Sequence, residues 1–187
     1  MSDTRTRMIE AALDSLRRRG ICGMSFTEVL EHSGAARGAI YHHFPGGKTQ
    51  LVAEAATRNA QDVRENLSQL PAGSPRVLVE AFLAMIRPVV EQSARGSGCA
   101  VAAVALGTDA ADADLREIAA GAFTAWRSEL AAKLTAGGMA AEQAAALAAT
   151  LVTLLEGAHV LCRAAGDIEP FDQAAKAITS LTEVSHG

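Results

Sequence analysis

Two short segments with helical periodicity, residues 25–33 and 37–43, are joined by a turn at Gly34. In the first segment Ser25 can cap the helix, and Glu28 three residues later completes the pattern of a capping box. Two helices that meet at a short glycine-containing turn are typical of a helix-turn-helix unit. This pattern restricts the fold more than any other feature, because the apolar faces of both helices then pack against the preceding helix.

The remaining sequence also predicts helices, separated by breaks rich in glycine and proline. Helical spacing of apolar residues is clear in residues 4–19, and Gly20 can end that helix as a left-handed cap. Apolar residues make up 49% of the 187-residue chain and much of that is alanine, which favours closely packed helices. Aromatic residues, at 4%, are too few for an all-β sandwich. The sequence therefore predicts an all-α fold of eight or nine helices.

The third predicted helix, the recognition helix of the unit, has two different faces. At about 100° per residue, Arg37 and Tyr41 project outward, whereas Ile40 and Phe44 face the preceding helices. An arginine can pair with a guanine edge or a phosphate, and a tyrosine can contact a phosphate and a thymine methyl. Gly38 lacks a Cβ atom and permits close approach to a groove wall. The outward face therefore suits a DNA duplex.

The distribution of charge supports a nucleic-acid partner better than the net charge does. The whole chain carries a net charge of −4, but residues 1–48 hold seven Lys or Arg against five Asp or Glu. The remaining 139 residues hold ten against sixteen. A slightly basic segment ahead of an acidic remainder fits a head that faces nucleic acid.

Nothing in the sequence predicts a membrane or secreted protein. The apolar stretches are expected to be interrupted before the roughly 18–20 residues that a membrane span needs, and no signal segment opens the chain. We therefore expect a cytoplasmic protein without a membrane partner. Cys22, Cys99 and Cys162 are odd in number and widely spaced, so we expect buried cysteines rather than disulfides or a zinc site.

The stretch MSFTEVLEHSGAARGAIYHHFPGGKTQLV resembles the head of the TetR family of bacterial transcriptional regulators. Its extended form YHHFPGGK is similar to the LmrA/YxaF-like subgroup. The resemblance implies an N-terminal three-helix helix-turn-helix DNA-binding head followed by a C-terminal helical ligand-binding and dimerisation domain. It also implies DNA contacts for nine residues: Ser25, Thr27, Arg37, Gly38, Ala39, Tyr41, His42, His43 and Lys48.

Two positions of the head depart from the family pattern. Ala36 stands where a Ser or Thr is usual, which removes a helix cap worth about 1 kcal/mol. Ala39 replaces a frequent polar residue, which leaves at most a methyl contact to a base. We therefore expect DNA binding as a class of function, without a defined operator sequence.

For the rest of the chain the resemblance implies domain boundaries and an effector pocket. It places the DNA-binding domain at residues 1–47, a connecting helix at 48–70, and the ligand-binding and dimerisation domain at 71–187. The fifth to eighth helices would enclose a small molecule that releases a repressor from its operator. The candidate lining residues are Phe82, Met85, Ile86, Cys99, Phe123, Trp126, Leu130, His159 and Cys162.

The late segment AALAATLVTLLEGAHVLCRAA predicts a homodimer. It is apolar nearly all round, which is too apolar for a surface helix of a monomer. Two-fold pairing through the last two helices would bury this face. It would also place two recognition helices about 34 Å apart, the spacing of successive major grooves.

Other functions stay open from the sequence. His42 and His43 could belong to a metal or catalytic cluster, although adjacent helical residues point about 100° apart and no further ligand follows at helical spacing. A helical enzyme could use His159 or Cys162 in the C-terminal half. An interaction module without DNA affinity would keep the same helices but have no use for Arg37. No motif predicts a cofactor.

Overall fold

The computed structural model describes residues 3–109 and 112–184, which form helices and connecting turns. This described part contains nine helices and no strand, so the predicted all-α fold is confirmed. The helices are α1 (Thr4–Gly23), α2 (Phe26–Ser33), α3 (Ala39–His43), α4 (Gly47–Ser68), α5 (Pro75–Ala94), α6 (Ala100–Gly107), α7 (Ala113–Ala136), α8 (Ala141–Ala165) and α9 (Glu169–Val184).

Helix α1 begins at an aspartate cap and is interrupted near its end. The Asp3 side chain accepts a hydrogen bond of 2.7 Å from the Thr6 backbone N–H. Gly20 leaves the helical conformation with a φ of +68°, a left-handed value that costs glycine little. The prediction that Gly20 ends the main part of this helix is confirmed. Cys22 lies in the short segment beyond this break and is exposed, so the prediction of a buried cysteine is wrong there.

The helices form two compact units, of which the first contains the residues up to Asp62 and those from Cys99 to Ala122. In this unit α1 packs against both α2 and α6. The approach of α6 depends on Gly107, where an added Cβ atom would lie only 3.2 Å from Cβ of Ile21. Large side chains that are nearly inaccessible to solvent fill the core of the unit: Met8, Leu16, Val29, Ile40, Phe44 and Leu51.

The second unit contains residues 63–98 and the residues from Phe123 onward. Here α5 packs against α8 and α9, which also contact each other. Helix α5 starts with Ser74 as its cap and Pro75 in its first turn. Lys133 of α7 donates a 2.9 Å hydrogen bond to the carbonyl oxygen of Leu70, just beyond α4. The predicted division into domains stays a prediction, because packing units are not functional domains.

Helix α8 is long and apolar. Among the described residues it is the one helix whose length and composition would allow it to cross a membrane. The prediction that apolar stretches are interrupted too early is therefore wrong here, because only Glu156 is charged between Glu142 and Arg163. The core helix of a protein without membrane spans passes the same test, so this finding by itself is weak evidence for a span.

Candidate nucleic-acid interface and C-terminal grooves

Helix α3 is held in the head by two buried side chains. Ile40 is 2% exposed and Phe44 is fully buried, whereas Tyr41 is 67% exposed. The Phe44 N–H donates to the Ile40 carbonyl oxygen at 2.7 Å and ends the helix. The predicted inner and outer faces are therefore confirmed for these three residues.

Helix α3 is shorter than predicted. It begins at Ala39, which is half-buried, rather than at Arg37, and Gly38 precedes it without a side-chain cap. The departure at Ala36 accounts for this start, because no side chain of an alanine or glycine can accept from the free N–H groups of a first helical turn. Arg37 and Gly38 therefore lie in an exposed turn immediately before α3.

Aromatic and imidazole rings lie along α3. The Tyr41 ring meets the Phe26 ring of α2 edge-on, with centroids 6.1 Å apart. The ring centroids of His42 and His43 are 5.0 Å apart, with His42 exposed and His43 half-buried. In the described ranges no group of three or more His, Cys, Asp or Glu is placed to hold a metal ion. Both imidazoles can donate hydrogen bonds at this surface.

The other predicted DNA contacts lie at the starts of α2 and α4. The Ser25 hydroxyl accepts from the Glu28 N–H at 3.2 Å and so caps α2, and Thr27 beside it is exposed. The capping box is only half formed as predicted, because the Glu28 carboxylate pairs with Arg19 at 3.2 Å. Lys48 is half-buried in the first turn of α4.

Side chains of α1 and α4 meet around the end of α3, which the sequence analysis missed. The Arg5 guanidinium forms an ion pair with the Glu54 carboxylate and lies 5.3 Å from the centroid of the Phe44 ring. Gln50 donates to the other Glu54 oxygen at 2.9 Å and accepts from the Gly46 N–H at 2.8 Å. Arg5 and Glu54 are 49 positions apart, so no local pattern marks their contact.

The cap of α1 carries a perturbed acid. Hydrogen bonds from Thr6 hold the pKa of the Asp3 carboxyl below its usual value, and smaller contributions come from the Arg5 N–H and the nearby His43. A carboxylate at this place also complements the positive end of the helix dipole. The charged form of Asp3 is therefore favoured in the folded head.

The predicted ligand-binding residues lie mostly in the core. Three of the nine candidates are not buried in the core. Of these three, Met85 and Phe123 are half-buried in the second unit. Cys99 is half-buried in the first unit, where its sulfur caps α6. Their part in effector binding stays a prediction. The six nearly inaccessible residues, each exposing 6% or less, are Phe82, Ile86, Trp126, Leu130, His159 and Cys162.

One polar contact lies within the core of the second unit. Ser93 Oγ and His159 Nδ1 are 2.6 Å apart and link α5 to α8, with both residues buried. A buried imidazole needs such a partner, since an unsatisfied polar group in the core is costly. The contact accounts for a histidine within an apolar helix.

Two open grooves lie along α8. The first has a volume of about 680 Å³ and includes Phe123, whose ring meets the buried Trp126 edge-on at 5.3 Å. It is lined by Phe123, Arg127, Ala149, Val152, Thr153, Glu156, Gly157, Val160 and Leu161. The second, of about 460 Å³, is shared with α9 and is lined by Ala149, Thr150, Thr153, Leu154, Gly157, Ala158, Leu161, Pro170 and Ala174.

The fold and the site together define a helix-turn-helix regulator: a short helix anchored from behind presents polar side chains, and an all-helical unit follows. Residues 8–55 match the family described as "Bacterial regulatory proteins, tetR family". Residues 75–177 match the "Transcriptional regulator LmrA/YxaF-like, C-terminal domain". The chain belongs to the TetR family of transcriptional regulators, as the resemblance implied.

Relatives and solved structures agree with this family. An uncharacterized HTH-type transcriptional regulator of Mycobacterium tuberculosis is 32% identical over 97% of this chain and 95% of its own length. LmrA of Bacillus subtilis is 26% identical over 96% of both chains. The fold matches a TetR-family regulatory protein of Rhodobacter sphaeroides, with a TM-score of 0.84, 19% identity and coverage of 96% and 98%. The family and these relatives are named as regulators, not enzymes.

Proposed function

We propose that this chain is a homodimeric cytoplasmic repressor that binds an operator through α2 and α3 and leaves it when a small molecule binds the C-terminal half. The observation that carries the proposal is the exposure of Tyr41 beside Arg37. Neither side chain belongs to the core that holds α3. An exposed arginine just before a short, well-anchored helix and an exposed tyrosine on that helix are suited to the major groove of DNA.

The proposed contacts divide into those that read bases and those that hold the backbone. Arg37 and Tyr41 face outward at the start and middle of the α3 region, where base edges are within reach of side chains in the major groove. Ser25, Thr27 and Lys48 lie at helix starts, where side chains and N–H groups suit phosphate oxygens. This division predicts which variants change sequence preference and which weaken all binding equally.

The proposed dimer interface is the exposed apolar face of α8 and α9. Val160 and Leu161 are 62% and 57% exposed, and Leu181 of α9 is 66% exposed. Ala174 lines the groove beside Leu161, and Leu181 follows seven residues later, on the same face of α9. Apolar side chains grouped in this way usually meet another protein. Two-fold pairing would bring the same residues of both copies together.

The proposed effector binds in the second unit, at the α7 side of the first groove, which Phe123 and Arg127 line. Val160 and Leu161 line the same groove on α8 and belong to the proposed dimer interface, so the effector would bind next to that interface. The mostly apolar wall of the groove with a few polar groups is typical of small-molecule sites. The effector would weaken operator binding only as far as it prefers the conformation that does not bind DNA. Phe123 is both a candidate lining residue and part of this groove, so it is the first position at which to test this preference.

The test is selection of duplexes from a random-sequence library by the full-length protein. Binding of the selected duplex is then measured by fluorescence anisotropy at several salt concentrations with excess competitor DNA. Arg37→Ala should cost about 1–3 kcal/mol if the side chain reads a base. Arg18→Ala is the matched control, because Arg18 is an exposed arginine of the same unit that pairs with Asp14 on α1.

Other outcomes would point elsewhere. Equal losses on all sequences with a shallower salt dependence would assign Arg37 to the phosphate backbone. Equal binding by wild type and Arg37→Ala, or binding that disappears with competitor, would contradict the proposal and favour an interaction module.

A further inference from the structure

Both carboxylate oxygens of Glu54 are engaged by side chains of the first unit. One oxygen pairs with Arg5 of α1, and the other accepts from the Gln50 side-chain amide at 2.9 Å. The Gln50 carbonyl oxygen in turn accepts from the Gly46 N–H at 2.8 Å. Glu54 is therefore the point at which α1, α4 and the loop before α4 are connected.

Both branches from Glu54 lead to the chain segment that directly follows α3. Through Arg5 the first branch reaches the ring of Phe44, the residue that ends α3. Through Gln50 the second branch holds Gly46, two residues further along. The Gly47 N–H also donates to the Phe44 carbonyl oxygen at 2.9 Å, which closes this turn. Contacts from Glu54 thus restrain the C-terminal end of α3 from two directions.

Helix α3 needs such restraint from outside. It has five residues, too few to define its own orientation by helical hydrogen bonds, and no side chain caps its start. The Arg5–Glu54 pair is partly exposed, with side-chain exposures of 44% and 26%, and such pairs contribute little to global stability. The cluster is therefore better suited to fixing a position than to holding the fold together.

We propose that Glu54 is a positioning residue for operator binding. Through Arg5 and Gln50 its carboxylate fixes the segment after α3 and thereby the angle at which Arg37 and Tyr41 meet the DNA. The inference rests on the proposed function and deepens it. Operator affinity would depend on Glu54, a residue of α4 that lies outside the proposed DNA contacts.

The sign of the effect separates positioning from simple charge. Glu54→Gln removes a negative charge from the unit that approaches DNA, and electrostatics alone would then strengthen binding to every sequence. Loss of positioning has the opposite effect on the selected operator, since Arg37 and Tyr41 no longer reach their partners together. A fall in operator affinity without a fall in affinity for scrambled DNA is therefore specific to positioning.

The experiment compares a duplex selected by the wild-type protein with a scrambled duplex of the same composition. Glu54→Gln should bind the selected duplex about five- to twentyfold more weakly, a loss that lies within the range of coupling between residues of one contact network. Its affinity for scrambled DNA should stay equal or rise. Asp62→Asn is the matched control, because it removes one negative charge from the same helix, where Asp62 pairs with Arg58 one helical turn away at 2.9 Å.

Two further variants test the branches. The double variant Arg5→Met, Glu54→Gln has the wild-type net charge. Its affinity for the selected duplex should lie within about twofold of that of Glu54→Gln alone, because both changes break the same contact. Gln50→Leu changes no charge and should weaken operator binding through the Gly46 branch. Thermal melting of each variant identifies any that fails to fold.

The following results would overturn the inference. It fails if the folded Glu54→Gln and Gln50→Leu variants bind the selected duplex as tightly as wild type, or if Asp62→Asn loses the same affinity. A wild-type protein that selects no duplex would refute the proposed function itself, and this is visible before any variant is made.

Discussion

Helices α3 and α8 both expose side chains that proteins often bury, but they do so in different surroundings. Helix α3 has five residues and exposes Tyr41 between the buried anchors Ile40 and Phe44. Helix α8 has 25 residues and exposes the aliphatic Val160 and Leu161 next to residues of the same helix that are buried in the core. The exposed groups of α3 can donate hydrogen bonds, whereas those of α8 offer only apolar surface.

The difference indicates two kinds of partner. A surface of hydroxyl, imidazole and guanidinium groups keeps its hydration in the free protein and exchanges it for polar contacts with DNA. An aliphatic surface gains most when another apolar surface covers it. In α3 the anchoring residues and the exposed residues proposed to contact DNA are therefore separate, whereas in α8 the exposed residues are of the same apolar kind as those that fill the core.

The largest expected effect is on the anchoring of α3. Phe44→Ala should lower the free energy of unfolding of the head by about 3–5 kcal/mol, because it removes a fully buried ring. Tyr41→Ala should lower it by about 1 kcal/mol or less, because the Tyr41 ring is mostly exposed and meets Phe26 edge-on. Urea unfolding of both variants measures this difference. Equal losses would contradict the separation of anchors from contacts.

The second effect concerns α8. Leu161→Glu should weaken dimerisation by about 3 kcal/mol or more, because in each of two symmetric copies a charge replaces a leucine that the proposed interface would bury. Sedimentation against protein concentration measures the change. Leu106→Glu is the control, since Leu106 of α6 is 83% exposed and lies outside the proposed interface. Should both variants stay dimeric at low concentration, the interface lies elsewhere.

A smaller effect separates the ring of Tyr41 from its hydroxyl. Tyr41→Phe should lose about 1 kcal/mol of operator binding if the hydroxyl donates to a phosphate. Tyr41→Ala should lose more, because the methyl contact and the edge contact with Phe26 disappear as well. Anisotropy with the selected duplex gives both values. If the two variants lose the same affinity, the ring makes no contact of its own.

The smallest effect concerns the acid cap of α1. The lowered pKa of Asp3 means that its contribution to stability is present above the ordinary aspartate value near pH 4 and is lost as the pH falls through the lower folded value. Asp3→Ala should therefore melt below wild type at neutral pH, with a difference that shrinks in acid. Asp3→Asn keeps a capping oxygen without the charge and should melt close to wild type at neutral pH.

Local signals in the sequence were sufficient for much of the head. The cap at Ser25, the break at Gly20 and the inward positions of Ile40 and Phe44 depend on neighbouring residues and were predicted correctly. The start of α3 was placed two residues early, because the periodicity extended over a turn in which no side chain supplies a cap.

Features that depend on tertiary packing could not be predicted in the same way. The contact of Arg5 with Glu54 joins residues 49 positions apart, and either residue alone resembles any charged side chain on a helix. In α8, apolar residues occupy nearly every direction, so periodicity cannot tell which of them face the core. The exposure of Val160 and Leu161 therefore depends on how α5 and α9 pack against α8, which periodicity does not reveal.

The separation of anchors and contacts in α3 bears on how such a protein diversifies. Replacement of Arg37 or Tyr41 should leave the fold intact, since the buried side chains that hold α3 lie at other positions. A lineage could exchange these side chains one at a time and acquire a new target sequence while Ile40 and Phe44 stay unchanged. The same scaffold can then serve many promoters, and the residues that vary most between descendants would be those that define each regulon.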